Sequence, residues 1–167
     1  MRMLLATVAA ATFALALPLA TQTPAATAQS DDFVKKAAGG GIAEVQLGKL
    51  AQTRAQDPRV KQFGQHMVDD HTKANEKLKA TLSQEGLSVP TEMDPEARQS
   101  YDRLSKLSGT AFDKAYMQDM VEDHRKDLAE FQNAAKTERD PGIKKFAQDS
   151  LPMLQQHLKM AEQIAGR

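Results

Sequence analysis

Apolar and small residues return at alternating three- and four-residue steps along most of this chain. From Pro58 to about Glu85 the stripe is Val60, Phe63/Gly64, Met67, His71, Ala74 and Leu78, and Gly86 closes it. From Pro141 to about Ala165 it is Ile143, Phe146, Ser150, Met153/Leu154, His157, Ala161 and Ile164. Two further stretches carry the same rhythm. About Asp32 to Gln56 aligns Ala37, Gly41, Glu44, Gly48, Ala51 and Ala55; about Thr110 to Thr137 aligns Phe112, Tyr116, Met120, His124, Asp127/Leu128, Phe131 and Ala135. A 3.6-residue period with one apolar side predicts four amphipathic helices, and no strand-like alternation competes.

The helices are punctuated by a phrase written twice, DPRVKQF from Asp57 and DPGIKKF from Asp140. Asp is a strong N-cap because its carboxylate accepts from the free amides of the first turn. Pro follows at no cost, since the amide hydrogen it lacks has no partner at that position. Each phrase therefore marks a corner between two helices, giving hairpins over about 32–85 and 110–165. Paired hairpins bury their stripes best as an all-α four-helix bundle. The linker 86–109 is long for a bundle turn, and Asp94-Pro95 opens a short helix within it that ends near Leu107. A linker of this length either crosses the bundle or caps one end. Two local features point to distortion: Pro152 predicts a kink in the last helix, and Gly39-Gly40-Gly41 predicts a break or kink near the start of the first.

The beginning of the chain has a different character. Met1-Arg2 precedes an almost wholly apolar run to Leu17, Pro18 ends it, and Ala26-Thr27-Ala28 offers small residues before Gln29. A basic start, a short apolar core and an A-x-A site form the pattern of a secretory signal peptide, 1–28, cleaved after Ala28. The run is too short to span a membrane, so no membrane insertion is expected after cleavage. That leaves 29–167 as a single domain, periplasmic or secreted. Without Arg2 the balance is 21 basic against 22 acidic side chains, which argues against a nucleic-acid partner. The absence of Cys removes disulfides, thiolate metal sites and cysteine nucleophiles.

Within this frame the histidines become informative. His71, His124 and His157 occupy core-stripe positions of three helices, and the fourth places Glu44 among its small residues. Counted from the nearest Asp-Pro corner, Glu44, His71, His124, Asp127 and His157 lie 13 to 17 residues away. That is roughly 20–25 Å along helices roughly 42 Å long, so all five are near mid-bundle. His66 is off the stripe. Imidazoles and carboxylates projecting inward at one level suit a single transition-metal ion, with Fe, Zn, Mn and Cu as candidates. The alternative is a buried polar layer that sets helix register. Met67, Met120 and Met153 each stand four residues before a histidine, which suits soft Cu(I) or simply fills a core. Asp70 and Asp123 adjoin His71 and His124, but neighbours on a helix diverge by about 100°. Each Asp makes a surface ion pair, as Asp123 with Lys126, or approaches a histidine on another helix.

The strings FVKKAAGGGIAEVQLGKLA, DPRVKQFGQHMVDDHTKANEKL, LSGTAFDKAYMQDMVEDHRKDLAEF and IKKFAQDSLPMLQQHLKMAEQIA resemble the exported bacterial family called domain of unknown function 4142. The resemblance spans about Asp32 to Ile164. It implies a ferritin-like bundle of the cell envelope and no established activity. Ferritin-like di-iron proteins need a Glu from each of two helices and a Glu-x-x-His from each of the others. Glu44 is present, and the offset between the twin phrases pairs it with Asp127. Val68 and Leu154, three residues before His71 and His157, break the rest. Bridging carboxylates are too few for an oxygen-activating di-iron centre, and no catalytic signature points to an enzyme. The leading expectation is an exported bundle holding one metal in metal handling or envelope stress. The alternative is a non-metal structural or interaction module.

Overall fold

The computed structural model describes residues 24–84 and 87–166. The expected signal peptide lies largely outside them. Five helices account for the regular structure of the described residues: α1 (Pro24–Arg54), α2 (Pro58–Gln84), α3 (Pro95–Leu104), α4 (Gly109–Thr137) and α5 (Pro141–Ala165). None is long and apolar enough to cross a membrane.

Both Asp-Pro corners behave as their chemistry requires. Asp140 Oδ1 accepts from the Ile143 amide at 2.8 Å, and Asp94 Oδ1 does the same for Ala97 at 2.8 Å. Asp57 Oδ1 takes the Arg59 amide at 2.8 Å, with the Arg59 guanidinium folded back on the same carboxylate. The expected helix starts follow from these caps.

The long helices form two hairpins, α1 with α2 and α4 with α5, joined through α2 against α5 and α1 against α4. Asp113, in the first turns of α4, accepts the Gln56 and Asp57 amides at 3.0 and 2.9 Å. The start of α4 therefore meets the first corner, whereas α2 has run a full helix length away from it. The linker crosses the bundle, and the two corners lie at opposite ends. On the way α3 lies against α1 and α4, held by buried Leu104 and by Arg103 paired with Asp119.

Two expectations for the first helix change. α1 starts at Pro24, ahead of the expected Asp32, and continues through Gly39–Gly41. Tertiary contact accounts for the unbroken helix: a Cβ on Gly39 would meet the Asp94 backbone at 3.0 Å, and one on Gly41 would strike Asn75. The missing side chains let α3 and α2 close on α1, offsetting roughly 1 kcal/mol of helix propensity per glycine. Pro152 lies within α5 without ending it.

The core falls into two apolar clusters. One contains Leu47, Ala51, Phe63, Met67, Phe112, Tyr116, Met120 and Ala161, towards the first corner. The other contains Phe33, Ala38, Leu78, Phe131, Phe146 and Leu154, towards the second. Between them every long helix contributes a buried polar residue: Glu44, His71, His124 and His157.

The tightest backbone-to-backbone approach at a glycine is Gly48 of α1 on Gly64 of α2. A Cβ on either would come within 2.5 or 2.8 Å of the other's carbonyl oxygen. Gly48→Ala is expected to cost about 1–3 kcal/mol by overpacking. At Gly40 a Cβ meets nothing within 4 Å, so Gly40→Ala should be neutral or stabilising. Urea unfolding of the two variants checks this; equal effects would remove the close-packing explanation.

Candidate metal centre

Each long helix brings its polar residue to the axis by the same periodicity that buries its apolar stripe. His71, His124 and His157 are 4%, 0% and 1% exposed. Their ring centroids are 5.9 Å (His71–His124), 5.3 Å (His71–His157) and 5.4 Å (His124–His157) apart. One ligand nitrogen from each lies within 4.8 Å of the other two. Phe63 closes the cluster from below, edge-on to His124 and His157 at 6.4 and 6.5 Å.

Hydrogen bonding orients the rings. His124 Nδ1 lies 3.0 Å from the Met120 carbonyl, which can only accept, so Nδ1 carries the hydrogen and Nε2 a lone pair. His157 Nε2 lies 3.1 Å from Asp70 Oδ2 and donates to it. The nitrogens left buried without a partner are His71 Nε2, His124 Nε2 and His157 Nδ1, one per ring. Two rings are thus anchored on one side with the other nitrogen unpartnered, as metal-ligating histidines are. Zn–N bonds of about 2.0–2.1 Å imply ligand nitrogens about 3.3 Å apart in a tetrahedron. Closing the trio onto an ion needs shifts of under about 1 Å per ring.

The other two expected residues stand beside this trio. Glu44 Oε1 is 3.9 Å from His124 Nδ1, too long for a hydrogen bond and on the opposite side of the ring from Nε2. Neither Glu44 oxygen meets an N–H donor and the residue is 0% exposed, so a proton shared with the neighbouring Asp123 carboxyl is the hydrogen bond open to it. Asp127 is outside the group defined by 4.8 Å. It lines a cavity of about 20 Å³ shared with His71, Asn75 and Met153, and also a cavity of about 600 Å³ between α1, α3 and α4. Met67 and Met120 are fully buried in the first apolar cluster. His66 remains off the core stripe, half-buried.

Four residues beside the site were not among those expected there. Asp70 approaches a histidine on a neighbouring helix, which was one of the two alternatives for it. Asp123 and Asp119 face Glu44, a signal legible as Asp119, Asp123 and Asp127 at one-turn intervals. Tyr116 buries a hydroxyl without a partner, and a tyrosine on an apolar stripe gives no sequence sign of that.

The site's electrostatics are set by burial. Desolvation, followed by the neighbouring His157, holds His124 down to about 3. His71 is pushed well below its ordinary value by burial and the two other rings, while in His157 Asp70 partly offsets the same effect. Burial and then Asp123 push Asp127 up to about 8, and Glu44 rises well above the carboxylate range from burial, Asp123 and Asp127. Neutral imidazoles with free lone pairs are the state a metal requires.

The chain matches the family described as "Domain of unknown function (DUF4142)" over residues 16–164. The chain belongs to that family. DUF4142 carries no established activity, and no protein of curated function matches the chain. Two crystal structures of DUF305 proteins share the fold. That from Deinococcus radiodurans has a TM-score of 0.72 at 18% identity, covering 85% of this chain and 98% of its own. That from Streptomyces coelicolor has a TM-score of 0.69 at 13% identity, covering 81% and 91%. At such identities the likeness speaks for the fold alone.

The shifted groups predict opposing pH effects. The unfolded chain protonates His124 near 6.5 and the folded one near 3. Its contribution to stability is therefore full above pH 6.5 and lost as pH falls towards 3, by up to about 1.4 kcal/mol per unit. Asp127 keeps its proton to about 8 when folded against 3.8 unfolded, so its contribution is lost as pH rises through that range. Against His124→Leu, metal-free wild type should lose relative stability between pH 6.5 and 4 and show none of that loss above 6.5. Urea unfolding across pH measures this; parallel profiles for the two proteins would refute it.

Proposed function

We propose that this DUF4142 chain is an exported helical-bundle protein that holds one transition-metal ion through His71, His124 and His157. The observation that carries this reading is the convergence of three buried imidazoles from three helices, each with one unpartnered nitrogen. Burying such nitrogens without partners costs about 1–3 kcal/mol apiece, and a shared ion satisfies all three at once. An all-imidazole set suits Zn, Cu or Fe better than Mn, which prefers oxygen. Three protein ligands leave one tetrahedral position open, and the cavity of about 20 Å³ beside His71 holds about one water molecule. That space is too small for a substrate, which supports binding or handling of the ion over catalysis on it. Met153 also lines this cavity, the one methionine of the three with a thioether beside His71's open space. Glu44 stands behind the His124 ring, and Asp127 lines the small cavity that His71 also lines. Export rests on the signal-peptide pattern of residues 1–28. It is in keeping with the description of the Streptomyces coelicolor DUF305 structure as a candidate secreted protein.

Protein purified without an affinity tag should bind one Co²⁺ per chain with the visible bands of a tetrahedral site, and Zn²⁺ should displace it. His71→Ala, His124→Ala and His157→Ala should each weaken binding by at least about tenfold. At a free ion concentration 100 times Kd, stability should rise by about 2.7 kcal/mol. Absence of metal uptake and of any melting shift with Zn, Fe or Cu would leave the histidines as a register-setting polar layer.

A further inference from the structure

Two consecutive residues of α2 serve different neighbours. His71 is buried in the trio, while Asp70, about 100° round the helix, lies on the seam with α5. There Asp70 Oδ2 stands 3.1 Å from His157 Nε2, and Oδ1 pairs with the exposed Lys73 at 3.5 Å. The Asp70 side chain is 35% exposed, so it runs from solvent to a ring of the buried trio. Glu44 is 3.9 Å from His124, beyond hydrogen-bond distance. Among the described residues, Asp70 is therefore the one carboxylate hydrogen-bonded to a ring of the trio. Asp69, one residue away, is exposed and accepts from Gln65 at 2.8 Å instead.

A carboxylate only accepts, so this contact places the ring hydrogen of His157 on Nε2 and the lone pair on Nδ1, its buried nitrogen without a partner. His124 is the reverse: the Met120 carbonyl holds the hydrogen on Nδ1, and Nε2 is the nitrogen left unpartnered. We propose that Asp70 is the positioning residue of the metal centre, selecting Nδ1 of His157 as a ligand against Nε2 of His71 and His124, and slowing release of the ion. Asp70 acts in this way only if the trio holds an ion, as proposed above. Three neutral imidazoles bring no negative charge to a cation; Asp70 supplies it one ring away and makes that ring a stronger donor. The same contact joins α2 to α5, so His157 turns out of the trio only when it breaks.

The test compares Asp70→Asn and Asp70→Ala with Asp69→Asn, which makes the same charge change one residue away, in tag-free full-length protein. Asparagine keeps the size of aspartate and loses its charge, so it separates the carboxylate from packing. Both Asp70 variants should bind Co²⁺ at least about tenfold more weakly than wild type and release it faster to a chelator, while Asp69→Asn should match wild type. Nitrogen NMR of the imidazole rings in metal-free protein supplies a readout that a general loss of stability does not move. His157 should carry its hydrogen on Nε2 in wild type and Asp69→Asn, and populate both tautomers in Asp70→Ala. Wild-type affinity in both Asp70 variants, an equal loss in Asp69→Asn, or a wild-type His157 hydrogen on Nδ1 would overturn the proposal and leave the trio binding its ion. No Co²⁺ uptake by wild type would instead overturn the histidine reading and this role of Asp70 together.

Discussion

A layer of buried polar groups across the middle of an apolar bundle is the constraint around which this protein is organised. Glu44, His71, His124 and His157 interrupt the core at one level, and the apolar side chains separate into a cluster above and a cluster below. Sliding any one helix by a turn would place an imidazole or carboxylate in a purely apolar cluster, at a cost of several kcal/mol. The layer therefore fixes register as well as offering ligands. These two roles are not exclusive, because a site built from three helices exists only while their register holds.

The surrounding architecture serves that layer. The glycine contact between α1 and α2 sets the closeness of the first hairpin, and α3 covers the seam between α1 and α4. The crossing linker puts the two Asp-Pro corners at opposite ends, so each long helix packs antiparallel to its neighbours. As a result the trio draws on α2, α4 and α5, while α1 supplies only Glu44 and faces the acidic stripe of α4.

The division between nitrogen and oxygen donors comes from ring orientation. Had His124 Nδ1 lacked the Met120 carbonyl, the ring could turn Nδ1 to Glu44 as a donor or to a shared ion. The carbonyl occupies Nδ1, which leaves Nε2 unpartnered and Glu44 behind the ring. One backbone hydrogen bond thus separates what the five-residue layer would otherwise merge.

Helix positions, corners, caps and the shared level of the five residues were determined by the sequence, because periodicity, Asp-Pro chemistry and a fixed rise per residue are local properties. Three matters were decided only by the tertiary structure. The helix through Gly39–Gly41 persists because Asp94 and Asn75 pack against the bare backbone, contacts made by residues far along the chain. The linker crosses because Asp113 captures the first corner, which no local pattern records. The candidate ligands sort into a histidine trio and a carboxylate group because rotation about the helix axis and hydrogen bonding decide where each side chain points. Spacing in the sequence gives height along a bundle; it does not give the direction of a ring nitrogen.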